Sequence, residues 1–205
     1  TDKLHKEIFF VQVYFRQKLE DENNYLNESQ STFSLNSPEA KLLGVLLNEK
    51  GELLLPYHIP IERIKDIEKI EILTPEKTYP AFFKGAYATL GAALITCDQL
   101  KGLKQKIELG QPTEEELIIS ASLLWNSPED YQIEILPNRL GKREYGVDDR
   151  VSYYVKQRLN QNQTIFFNND LNICGIYSKF KNIDNIKNEG GNEFYSGVDY
   201  LSYIS

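Results

Sequence analysis

Two short apolar runs, Leu42–Leu47 and Leu53–Leu55, separated by Asn48-Glu49-Lys50-Gly51-Glu52, constrain this chain more than any other stretch. Each run is too short for a helix, and the pair breaks at a glycine. Val and Leu bounded by an Asn/Gly cluster therefore predict a β-hairpin whose strands are buried. The second strand leads through Pro56 and Tyr57 to His58, one of only two histidines.

Composition narrows what surrounds that hairpin. A chain of 205 residues is one all-β domain or two small ones. With 41% hydrophobic and 26% charged residues, 13 Tyr and 10 Phe, it is globular and rich in residues that suit strands. The net charge of -7 gives no electrostatic reason to bind nucleic acid or an anionic membrane surface, so neither is expected as a partner. No apolar run reaches roughly 18 residues, so no membrane-spanning helix is expected. Thr1 opens the chain without a signal peptide and no Met occurs, which reads as a fragment of a longer protein.

Cys97 and Cys174 each sit inside an apolar run, ALITC and NICGI. They lack CxxC spacing, so metal and thioredoxin-like readings fail, and two buried small hydrophobes are expected, with a bridge between them left open.

Along the chain, alternation over Ile8–Phe15 predicts a first strand. Residues 20–38 are Asn, Glu and Ser with few apolar residues and read as a long exposed loop. After the hairpin, Ile61, Ile64, Ile67 and Ile70 recur every third residue, which fits a helical turn followed by a strand at Ile70–Leu73. Strands follow at Tyr79–Lys84 and Ala88–Cys97, joined at Gly85. The polar segment Asp98–Thr113 divides the chain, giving halves of 1–100 and 101–205. Further strands are expected at Glu115–Trp125, Gln132–Leu136, Ser152–Arg158, Thr164–Asn168 and Ile173–Phe180, with a last aromatic run at Phe194–Tyr203. Trp125-Asn126-Ser127-Pro128 reads as a turn.

Three segments in order resemble the HtrA branch of the trypsin-like serine proteases. LLGVLLNEKGELLLPYHI resembles that family's strand, turn and strand leading to the catalytic histidine, which falls on His58. EKIEILTPEKTYPAFFKGAYATLGAALITCD resembles its Tyr-Pro-Ala crossing strand and the Thr-Asp-Leu-Ala-Leu-Leu-Lys-Ile strand. TIFFNNDLNICGIYSKF resembles the strand pair that follows the nucleophile. The resemblance implies two antiparallel six-stranded β-barrels in the trypsin-like arrangement with a cleft between them, an all-β fold.

The chemistry is expected not to have come with the scaffold. A serine protease needs an acid to orient the imidazole, the imidazole, and a hydroxyl beside two backbone N–H groups. The acid position falls on Gly91, which has no side chain. The nucleophile position falls on Asn162, an amide, and the loop Asn160-Gln161-Asn162-Gln163 retains no glycine to shape an oxyanion hole. The vestigial triad is thus His58, Gly91 and Asn162. Thr164 or Cys174 as substitute nucleophile, and Asp98, Asp148 or Asp149 as substitute acid, are the rescues to weigh. With only His5 and His58 as imidazoles and no EF-hand spacing, no metal and no cofactor are expected.

The expected function is a pseudoprotease module that binds a polypeptide or scaffolds a protein partner. The alternative is an active serine or threonine endopeptidase with a rearranged site, and a purely structural barrel is a third reading. The resemblance further implies an extracytoplasmic home and a possible homo-oligomer formed through the N-terminal segment, with Phe9, Phe10 and Phe15 as contact candidates.

Overall fold

The computed structural model describes residues 4, 6–16, 38–87, 91–103, 109–110, 117–127, 130–145, 151–155, 163–178 and 194–196. Six strands form a closed barrel: β1 (Ile8–Phe15), β2 (Glu39–Leu46), β3 (Glu52–Leu55), β4 (Ile67–Leu73), β5 (Thr78–Tyr87) and β6 (Ala92–Thr96), in the order β1-β2-β3-β6-β5-β4. A single helical turn, α1 (Ile61–Ile64), separates β3 from β4. Six more strands form an antiparallel sheet: β7 (Leu117–Ser127), β8 (Asp130–Tyr145), β9 (Val151–Val155), β10 (Gln163–Phe167), β11 (Ile173–Ser178) and β12 (Phe194–Ser196), in the order β11-β10-β7-β8-β9-β12. Its end strands β11 and β12 approach one another. Among the described residues these two end strands share no ladder.

The central hairpin forms as its sequence dictates. Leu46 faces Leu53 across β2 and β3, and Leu47 N–H donates to the Glu52 carbonyl at 2.7 Å. In the turn, Asn48 Oδ1 accepts from Lys50 N–H at 3.0 Å while its Nδ2 donates to Glu52 Oε2 at 2.7 Å. Gly51 closes it with a φ of +74°, a conformation glycine adopts without steric cost.

Both faces of the hairpin are buried, which explains runs with no polar alternation. Leu42, Leu46, Leu53 and Leu55 point into the barrel with Val11, Val13, Ile72 and Ile95. Leu43, Val45 and Leu54 point outward onto Ala121, Leu123, Ile165 and Phe167 of the second sheet. Each fully buried side chain of this kind contributes about 1.5–3 kcal/mol. Gly44 interrupts β2 on the inner face because a Cβ there would lie 2.9 Å from Val11 Cγ2 and 3.1 Å from Leu55 Cδ2.

Several element boundaries differ from the sequence expectation: β4 begins at Ile67 rather than Ile70, and β7 runs through Trp125 to Ser127, where a turn is expected. Gly85 does not join two strands: β5 runs through it, and the register shift between Phe83 and Gly85 marks a bulge. The connection to β6 lies at residues 88–91 instead, since Tyr87 faces Ala92. Strand β8 is longer than Gln132–Leu136 because it changes partners, pairing with β7 up to Arg139 and with β9 from Leu140. Pro137 falls where β8 has a neighbour on one side only, a place that tolerates its missing N–H. Residues 20–37 lie outside the described residues.

Candidate functional site

His58 sits on the extended segment Pro56–Pro60 between β3 and α1. Two neighbours fix it there. Ile59 is fully buried in the barrel core and Tyr57 packs against the same core, which leaves His58 half-buried at the barrel end with its Nδ1 enclosed. Burial raises the Tyr57 hydroxyl pKa above its ordinary value, with Arg63 pulling the other way. The Arg63 guanidinium lies 4.2 Å from the Phe15 ring centroid, a cation–π contact that ties α1 to β1. Pro60 at the start of α1 has a φ of -57°, already suited to a helix entrance.

Gly91, the residue at the expected acid position, is buried and immediately precedes β6. Its φ is +62°. With Tyr87 facing Ala92, the β5–β6 connection is a short hairpin link that ends in a left-handed residue. A residue with a Cβ pays roughly 1–2 kcal/mol in that conformation. The backbone at position 91 is thus built for glycine, which can accept no hydrogen bond from an imidazole N–H through a side chain.

At the nucleophile position, Asn160, Gln161 and Asn162 lie outside the described residues, and Gln163 opens β10. Thr164 is 0% exposed within β10, facing Ser122 across the ladder, with the two hydroxyl oxygens 2.7 Å apart. A substrate carbonyl cannot reach it there. Cys97 and Cys174 are both buried and no disulfide bridge joins them. Burial pushes the Cys97 thiol pKa up, and its Sγ lies 3.3 Å from Gln99 Oε1; both thiols are buried, not in the exposed setting of a nucleophile.

The substitute acids fare no better. Asp98 is exposed and its carboxylate pairs with Lys101 at 2.6 Å. Asp148, Asp149 and His5 lie outside the described residues. Asn168-Asn169-Asp170 is a turn, as its composition predicts, in which Asn168 Oδ1 accepts from Asp170 and Asn172 N–H. Among the described residues no group of three or more His, Cys, Asp and Glu could hold a metal ion. No helix among them is long and apolar enough to cross a membrane.

Sequence reasoning missed one feature. Ser120, Ser122, Asn138 and Thr164 gather as buried polar groups on one face of the second sheet. The signal was present as serines alternating with apolar residues in Ile118-Ile119-Ser120-Ala121-Ser122-Leu123, which reads as a strand with one polar face.

No family model matches this chain, and no curated protein matches it. Solved structures do. The chain is similar to the Rv3671c protease from M. tuberculosis in its active form, with a TM-score of 0.63 and 8% identity over 96% of this chain and 78% of that one. It is also similar to the serine endoprotease from Yersinia pestis, with a TM-score of 0.57 and 14% identity over 95% of this chain and 60% of that one. At such identities the likeness concerns architecture alone. A closed six-stranded barrel packed against a second antiparallel sheet, superposing over nearly its whole length on serine proteases, gives this chain the trypsin-like fold.

Proposed function

We propose that this chain is a catalytically inactive, HtrA-type pseudoprotease domain that binds a polypeptide. The observation that carries the proposal is Gly91. The acid position is occupied by a residue without a side chain whose φ of +62° disfavours any replacement. Without an acceptor on the imidazole, the correct tautomer and the developing imidazolium both lose their support. The burial of Thr164 and of both thiols supports the same reading, because each removes a substitute nucleophile. The family resemblance implies a cleft between the two units in which an extended chain would lie. An extracytoplasmic location and a homo-oligomer belong to this proposal and follow from the family resemblance.

The test is direct. The protein is incubated with a fluorophosphonate probe and, separately, with casein as an unfolded polypeptide. No labelling and no cleavage are expected, while casein binds in a sedimentation assay. Labelling that disappears in His58→Ala would establish an active hydrolase and end the proposal.

A further inference from the structure

Four buried polar side chains share one face of the second sheet, and their hydrogen bonds do not close on themselves. Ser120, Ser122, Asn138 and Thr164 are each less than a tenth exposed. Thr164 faces Ser122 across β10 and β7, while Leu136 faces Ser120 and Asn138 faces Ile118 across β7 and β8. Positions two apart on a strand point the same way, so all four side chains lie on the face opposite Ala121, Leu123, Ile165 and Phe167.

All but two of the donors and acceptors find partners. Asn138 Nδ2 donates to Ser120 Oγ at 2.5 Å and to the Leu136 carbonyl at 3.4 Å. The Ser120 hydroxyl donates to the same carbonyl at 3.3 Å. Ser122 and Thr164 share a single hydrogen bond, one hydroxyl donating to the other, which leaves one hydroxyl proton to place. Asn138 Oδ1 is buried and, among the described residues, accepts from no donor. Turning the amide over does not cure this. The Ser120 hydroxyl could then donate to Oδ1, but Oδ1 would also face the Leu136 carbonyl, lone pair against lone pair, and the two Nδ2 protons would be left without an acceptor among the described residues.

We infer that the second sheet holds an internal hydration site in which an ordered water molecule donates to Asn138 Oδ1. The ligand must supply a donor to the amide oxygen, and a neutral water molecule does so. An ammonium group supplies donors only, and the buried polar residues described include no carboxylate to balance its charge. An anion would place further lone pairs against Oδ1. Buried polar groups left over by the protein are where internal waters are held.

A crystal structure of the whole chain, at a resolution that shows ordered solvent, tests this. The expected result is a solvent peak about 2.7–3.2 Å from Asn138 Oδ1. A dry amide oxygen, an oxygen paired with a protein donor, or density larger than one water at that place would overturn the inference. Oxygen-17 relaxation dispersion reads the same site in solution. Asn138→Leu is expected to remove one long-lived internal water, and an unchanged count in a folded variant contradicts the assignment. Should that variant not fold, the density at Oδ1 of the unaltered protein decides alone.

Discussion

At Gly51 the backbone φ is +74°, and a Cβ built there would lie 2.2 Å from the Cys97 carbonyl oxygen. Gly102 has nearly the same angle, +76°, but open space around it. The pair separates strain from collision. Gly102→Ala is expected to cost about 1–2 kcal/mol, the left-handed penalty alone. Gly51→Ala adds a clash with backbone that cannot rotate away, and its total is about 2–4 kcal/mol. Urea unfolding midpoints check both, and equal losses would refute the clash argument. Tyr14 sets a second residue-scale expectation. Burial first, then the hydrogen bond to Glu71 and the charges of Glu71 and Glu39, raise its pKa from 10.0 to about 12. The Lys69 ammonium lies 4.2 Å from the Tyr14 ring centroid and 3.1 Å from Glu71 Oε1, so the group sits in an ordered polar cluster. The folded state holds the proton more tightly than the unfolded one. Stability from this group is therefore complete below pH 10 and is lost as pH rises towards 12. The fall in denaturation midpoint over that window should be shallower in Tyr14→Phe.

Among the elements, the β2–β3 hairpin shows how burial on two faces departs from ordinary strand behaviour. Leu54 and Leu55 are neighbours in sequence, yet Leu55 belongs to the barrel interior and Leu54 to the contact with the second sheet. Truncating either to Ala is expected to cost about 2–5 kcal/mol. If one face of β3 were wet, the outer substitution would change stability by about 0.5 kcal/mol or less. Because the two side chains occupy separate clusters, their effects should add to within about 0.5 kcal/mol in a double-mutant cycle. Strand β5 illustrates a different lesson. Its bulge at Phe83–Gly85 coincides with Lys84, which pairs with Glu52 on β3 while Asn48 holds the other carboxylate oxygen. A glycine within a strand pattern marked the irregularity correctly, but whether it was a turn or a bulge depended on the register with β6.

For the whole molecule, the decisive feature is the second apolar cluster, in which Leu4, Ile8, Leu43, Val45, Leu54 and Ala92 from the barrel side meet Ala121, Leu123, Ile165, Phe167, Ile173 and Ile176. Neither set is covered without the other. Calorimetry should thus show one cooperative transition, and two resolved transitions would mean that the units hold their own cores independently. The sequence alone determined the all-β class, the central hairpin, its turn and the order of most strands, because alternation, β-branched and aromatic content and Asn/Gly turns act over a few residues. It also placed His58 just past the hairpin's second strand, whereas Gly91, expected inside a strand over Ala88–Cys97, lies just before β6. Tertiary structure decided what local signals cannot encode: that Gly91 is left-handed in a short link, that Thr164 is sealed against Ser122, and that β8 exchanges β7 for β9 at mid-length. Each of these depends on which distant strand lies alongside, and pairing between residues tens of positions apart is fixed only when the buried faces of the barrel and the sheet close on one another.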